Sequence, residues 1–273
     1  MPRYLLAAVV VLFTCAVVFC QVESAAYHPQ QTESSGQSMT LAPPAPDLSS
    51  LSLQELEERG DILRARKDYL DALDYYNAAL KRQPSALLYN KVAMVHIMMG
   101  LYPDARKELK KALKLRKDYA DAYNNTAVTF YKQKRYGAAI KDFKKAISID
   151  PQNATYHSSL GTVYMDNKQF DLAMAEYRHA LSLDPEVFDH NSPFGVSAAL
   201  RSPEDQARHA YEMAKLYASI GDFERALRYL RKAMEEGYPE IRNVYKEKSF
   251  ASLREDERFV SLMKQRPVAI PQQ

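Results

Sequence analysis

Five times along this chain an aromatic residue is followed three positions later by an alanine and seven positions beyond that by another. The aromatics are Tyr69, Tyr102, Tyr136, Phe170 and Phe223. The first alanines are Ala72, Ala105, Ala139, Ala173 and Ala226, and the second are Ala79, Ala112, Ala146, Ala180 and Ala233. All three sets step by 33, 34, 34 and then 53 residues. A fixed period near 34 predicts a stack of helical hairpins, each too small to bury its own apolar face alone.

Between the marks each unit reads as two short helices. In the third, Tyr123, Ala127, Phe130 and Tyr131 stand at helical spacing. Ala139, Ile140, Phe143, Ala146 and Ile147 form a second stripe after a break from Lys134 to Gly137. Alanines belong where the helices of a hairpin cross, because a larger side chain would push the backbones apart. Pro84, Pro151 and Pro185 end the second helices, and Asp150 and Asp184 precede two of them as turn residues.

These residues resemble the tetratricopeptide repeat family, including its exported bacterial members. Leu160-Gly161, Tyr164, Phe170, Ala173, Tyr177, Ala180 and Pro185 follow the family pattern at nearly every position. The family tryptophan is absent, with Tyr89, Tyr123 and His157 in its place, and Lys117 and Tyr238 stand where two units would end in proline. The resemblance implies an all-α fold: a right-handed α-solenoid of about five helix-turn-helix hairpins with C-terminal capping helices. It covers residues 53–238, with units near 53–85, 86–119, 120–153, 154–187 and 207–238 and an inserted loop at 188–206. Ser202-Pro203-Glu204-Asp205 in that insertion has the makings of a helix start. Residues 239–273 are expected to form capping helices near 239–247 and 256–265 and a tail, with Phe250, Leu253, Phe259 and Leu262 covering the last repeat.

The N-terminal 26 residues are different material. Arg3 precedes an uncharged run from Tyr4 to Cys20, and Ser24-Ala25-Ala26 offers small residues at a cleavage site. An export signal is the expected reading and an uncleaved membrane anchor the alternative, since 17 residues is at the short edge of a bilayer span. Lipidation at Cys20 is the weaker option, because bulky Phe19 precedes it. The chain is then expected to be exported, either periplasmic or membrane-anchored and facing the periplasm or the extracellular side. Both cysteines, Cys15 and Cys20, lie in this segment, so a mature chain without it would have no disulfide framework. Residues 27–52, rich in Ser, Gln and Pro, read as a disordered linker.

No motif for catalysis emerges: there is no phosphate loop, no nucleophile elbow and no histidine pair at metal spacing. The expectation is a non-enzyme without a cofactor or metal. The net charge of +3 is small, but Arg106, Lys107, Lys110, Lys111 and Lys114 crowd one second helix and Lys141, Lys144 and Lys145 the next. In the family these helices face outward, so the eight would form a basic convex patch, either an ordinary solvated face or a contact for an anionic surface or partner. Nucleic acid is not expected as the partner.

In the family the first helix of each hairpin lines a concave groove. Carried over by register, the groove residues are Asn90, Met94, Ile97 and Met98, then Asp121, Asn124, Val128 and Tyr131. Thr155, Ser158, Thr162 and Met165 follow, and Arg208, Tyr211 and Lys215 complete the set. Methionines adapt to partners, and amides bond a peptide backbone. Asn90, Asn124 and Tyr131 are the expected recognition core. The carboxylate clamp of the family's chaperone-binding members is missing: Glu57 and Asp61 stand where a lysine and asparagine would, and Thr155 and Ser159 where a lysine and arginine would. The implied function is a non-catalytic protein-interaction scaffold of the cell envelope that binds a protein segment in its groove. The alternative is a structural subunit of an envelope assembly, docking through the basic convex face.

Overall fold

A computed structural model describes residues 47–189 and 202–265. The expected leader at 1–26, the linker up to residue 46, the insertion from 190 to 201 and the tail at 266–273 lie outside the described residues. Eleven α-helices and no strand occur among the described residues. They are α1 (Leu53–Arg66), α2 (Tyr69–Arg82), α3 (Ala86–Met98), α4 (Tyr102–Leu115), α5 (Ala120–Lys132), α6 (Tyr136–Ile149), α7 (Ala154–Asp166), α8 (Phe170–Leu183), α9 (Pro203–Ser219), α10 (Phe223–Glu235) and α11 (Glu257–Gln265). The first ten form five hairpins, and in the first four each second helix also packs onto the first helix of the next. The fold is an all-α solenoid.

Each hairpin closes on a side-chain pair that changes in concert. Tyr76, Leu109, Phe143, Tyr177 and Leu230 occupy one position of the five second helices, and each is fully or almost fully buried. Opposite them on the first helices stand Gly60, Ala93, Ala127, Gly161 and Ala214. Glycine appears only opposite tyrosine. A Cβ on Gly161 would lie 2.5 Å from Tyr177 Cδ1, and one on Gly60 2.6 Å from Tyr76 Cε1. The ring fills the space that a methyl group fills elsewhere. The flanking alanines Ala139, Ala146, Ala173 and Ala180 have no exposed surface.

The turn between the helices is equally regular. Lys67, Gly100, Lys134, Lys168 and Gly221 hold the same place in the five hairpins, and all have φ between 58° and 82°. The following residue reaches back in every case, as when Arg135 N donates to Phe130 O at 2.9 Å and Gln169 N to Tyr164 O at 2.9 Å. These bonds satisfy carbonyls that the helix end would leave open.

The first helices α3 and α5 touch, and side-chain bonds also join α1 to α3 and α5 to α7, whereas α4 and α6 do not pack as α3 and α5 do. The second helices therefore lie on the outer side of the stack. Stacking thins at one place: α8 and α9 make less contact than the equivalent pairs before them. Side chains bridge the junction. Arg225 of α10 donates to Pro185 O and to Asp189 at 2.9 and 2.8 Å, while Phe188 folds back edge-on to Tyr177 of α8 with centroids 5.0 Å apart.

Beyond α10 the expected helix near 239–247 is replaced by three short 3-10 turns, Ile241–Tyr245, Lys248–Phe250 and Leu253–Glu255, before α11. Pro239 has no amide hydrogen to give, and the stretch lacks a continuous apolar stripe that would hold a full helix against α9. Val244, Phe250, Leu253, Phe259 and Leu262 are nonetheless buried, and Tyr211 of α9 stacks on Tyr238 at 4.4 Å and tilts against Phe250 at 5.6 Å.

Candidate functional site

Polar side chains link the first helices of the first four hairpins, each to the next, and the linked residues are about one repeat apart. Lys91 Nζ of α3 lies 2.5 Å from Glu57 Oε1 and 2.6 Å from Asp61 Oδ2 of α1. Asn125 donates to Asn90 at 2.9 Å, Tyr156 to Asp121 at 2.5 Å and Tyr131 to Asp166 at 2.6 Å. Tyr211 continues the series by donating to Glu247 at 3.2 Å, and Lys215 pairs with Glu212 at 3.0 Å and Glu247 at 3.3 Å. Lys91 with Glu57, the asparagine pair and the three tyrosine–carboxylate pairs are each 34 to 36 residues apart in sequence. A repeat spacing in sequence has become a contact distance in space.

These bonds shape the electrostatics of the face. Burial pushes the Asp61 carboxyl up, but hydrogen bonds from Lys91, Tyr76 and Arg64 together with the Lys91 charge outweigh it, so the group sits below its ordinary range. Burial and the Asp121 carboxylate raise the Tyr156 hydroxyl, and burial and Glu247 raise that of Tyr211, so both stay protonated donors. Burial pulls Lys215 down, yet Glu212 and Glu247 hold it above the usual lysine value. The first-helix face is thus a set of fixed polar groups.

Profiles of the tetratricopeptide repeat match at residues 95–134 and 129–168, and again at 154–187 and 208–236. This is a tetratricopeptide-repeat protein. Among solved structures it is similar to Pseudomonas aeruginosa pilF, at 22% identity over 78% of this chain and 89% of that one with a TM-score of 0.51. A thermophilic repeat protein of Thermus thermophilus is 23% identical over 78% of this chain and all of its own, with a TM-score of 0.48. No curated protein sequence matches the chain. Repeats of this family are protein-interaction scaffolds that bind protein or peptide partners.

Within the tetratricopeptide repeats, the residues expected to line the groove divide. Asn90, Ile97, Asn124, Val128, Tyr131, Thr162, Met165 and Tyr211 are buried, none more than 9% exposed. Their helix face is shared with the next hairpin, so packing closes over them, which corrects the expectation that Asn90, Asn124 and Tyr131 form an open recognition core. Met94, Met98, Thr155, Ser158, Arg208 and Lys215 are partly accessible, and Asp121 is exposed. Arg208 lies over the Phe170 and Tyr238 rings, at 5.1 and 5.8 Å from their centroids. Glu57, Asp61, Lys91 and Asp166 join the face although sequence reasoning left them out of it. The signal was partial: Glu57 and Lys91 carry opposite charge 34 residues apart, one position past the 33-residue step between the first two units.

The basic residues also divide. Arg106 donates to Thr129 at 3.1 Å and to Gln133 at 2.9 Å with its guanidinium over Phe130, so it joins two hairpins rather than facing a partner. Lys111 is paired with Glu108 at 2.8 Å and stands over Tyr89. Lys107, Lys110, Lys114, Lys141, Lys144 and Lys145 are exposed. A separate outer cleft of about 960 Å³ opens beside α2 and α4, lined among others by Asp74, Tyr89, His96 and Glu108.

His157 is the most embedded of the described histidines, with Nδ1 2.7 Å from Glu176, Nε2 3.1 Å from Pro151 O and its ring 4.3 Å from that of His179. Among the described residues no group of three or more His, Cys, Asp or Glu could hold a metal ion, and no helix is long and apolar enough to cross a membrane.

Proposed function

We propose that this protein is a non-catalytic scaffold of the cell envelope that holds a protein segment against the first-helix face of its repeats. The observation that carries the reading is the bonded ladder along that face. Buried tyrosines and Lys91 of neighbouring hairpins fix the more accessible carboxylates Glu57, Asp61, Asp121 and Asp166, so a bound segment meets groups whose ordering entropy is already lost. Beside them Met94 and Met98 give adaptable apolar contact, and Asp121, Thr155 and Ser158 give accessible hydrogen-bonding groups. The uncharged run Tyr4–Cys20 supports delivery to the envelope, as a cleaved signal or an anchor.

The test is binding of a partner captured from envelope extracts, measured by calorimetry on the full chain and its variants. Thr155→Arg with Ser158→Arg introduces bulk and charge at the accessible centre and is expected to weaken binding by about 2 kcal/mol, the scale of an interface hot spot. Leu172→Arg, at an exposed second-helix position, is expected to leave affinity within about 0.5 kcal/mol. The reverse ranking would move the binding surface off the first helices.

A further inference from the structure

The outer side of the stack carries a charge pattern that the ladder does not use. Lys107, Lys110 and Lys114 follow one another at helical i, i+3, i+7 spacing on α4, and therefore share a face. Lys141 and Lys144 occupy on α6 the places that Lys107 and Lys110 occupy on α4, and Lys145 the place of Lys111. The same three places hold Ala175, Arg178 and His179 on α8, and Arg228, Arg231 and Lys232 on α10. Equal register on stacked second helices lines these cations up from hairpin to hairpin. The first hairpin breaks the pattern, with Asp74, Asn77 and Ala78.

None of Lys107, Lys110, Lys114, Lys141, Lys144 and Lys145 closes an ion pair among the described residues, and all six are exposed. Two of them rise over tyrosines of first helices: Lys144 stands 5.8 Å from the Tyr164 ring and Lys145 5.9 Å from Tyr123. In both, the ammonium group itself faces the ring, a contact that places the charge without closing an ion pair.

We propose that this lysine ridge docks the protein onto an anionic lipid surface. Its composition selects that occupant over an acidic protein or a nucleic acid. A specific protein interface is centred on buried aromatic or arginine anchors. On α4 and α6 the only large exposed apolar side chain is Leu115, at the very end of α4. Nucleic-acid surfaces favour arginine forks and exposed rings for stacking; here Arg106 is already engaged with Thr129 and Gln133, and the tyrosines lie beneath the lysines. What remains on α4 and α6 is a row of flexible lysine point charges with no directional demand. Such charges suit a fluid layer of headgroups, whose attraction adds up lysine by lysine.

The experiment is co-sedimentation of the full chain with phosphatidylcholine vesicles, with and without about one-third phosphatidylglycerol. Using the full chain throughout makes any contribution of the Tyr4–Cys20 run common to every arm. The ridge variant carries Lys107→Gln, Lys110→Gln, Lys141→Gln and Lys144→Gln. The control loses the same charge elsewhere, through Arg59→Gln, Lys168→Gln, Lys246→Gln and Lys264→Gln. Wild type is expected to prefer the anionic vesicles at least tenfold, and salt raised from about 0.05 to 0.5 M should abolish the preference. The ridge variant should lose at least tenfold in binding to anionic vesicles and the control less than about threefold. Lys110→Glu with Lys144→Glu, checked for an unchanged helical spectrum, should lose as much. Equal binding to both vesicle types, or equal losses in ridge variant and control, would overturn the proposal. So would ridge-dependent binding to polyglutamate or a single-stranded oligonucleotide that matches or exceeds the binding to anionic vesicles.

Discussion

A single methyl group decides which partner a second-helix side chain has across each hairpin. Where the second helix carries tyrosine the first carries glycine, as in Gly161 with Tyr177, and where it carries leucine or phenylalanine the first carries alanine. Gly161→Ala should therefore overpack its hairpin and cost roughly 1–3 kcal/mol in chemical denaturation. Adding Tyr177→Leu, the combination seen as Ala93 with Leu109, should recover part of that loss, although the Tyr177 hydroxyl bond to Thr162 at 3.0 Å goes with the ring. A strictly additive double variant would mean the two positions do not compensate. Tyr131 shows the limit of reading residues singly. Its spacing marked it as a face residue, but its hydroxyl donates to Asp166, 35 residues away, and packing covers the ring. Tyr131→Phe should thus lower stability by about 1 kcal/mol, as loss of a hydrogen bond to a charged group does when solvent is close.

At the scale of the helix, the period near 34 made the hairpins and their crossings legible, because small residues at a crossing leave a fixed mark in sequence. What it did not reveal was which residues of a first helix stay open. Each interior first helix has its own partner behind it and a hairpin on either side, so three contacts compete for one helical surface. The left-handed turns were likewise silent, since Lys67, Lys134 and Lys168 fill positions where glycine would announce itself. Lys134→Gly should relieve the positive φ of 58° and raise stability by up to about 1 kcal/mol, whereas Gly100→Ala should lower it by a similar amount. The junction of the first two hairpins depends on Lys91 between Glu57 and Asp61. Because the Asp61 carboxyl is held below its ordinary 3.8, its contribution is present above that pH and lost as pH falls through the folded-state value. Asp61→Asn should lower the melting midpoint at neutral pH, with the gap from wild type narrowing below about pH 3.8.

At the scale of the whole described stack, two faces carry different chemistry. The first helices carry a ladder of polar groups bonded one repeat apart, and α4 and α6 carry six exposed lysines in repeating register that close no ion pair among the described residues. Net charge hid this division, because +3 for the whole chain does not show that the excess of Lys and Arg is concentrated on second helices such as α4 and α6 while the first helices are nearly balanced. Fold class was written in the repeat; the open part of the site was not, since it depends on how closely successive first helices approach.

The most direct measurement places a photo-crosslinking amino acid at Met98, Thr155, Leu172 or Ala175 in the full chain and exposes each to the captured protein partner. Crosslinks from Met98 and Thr155, with none from Leu172 and Ala175, are expected if the first-helix face holds the segment. Crosslinks confined to Leu172 and Ala175 would contradict it.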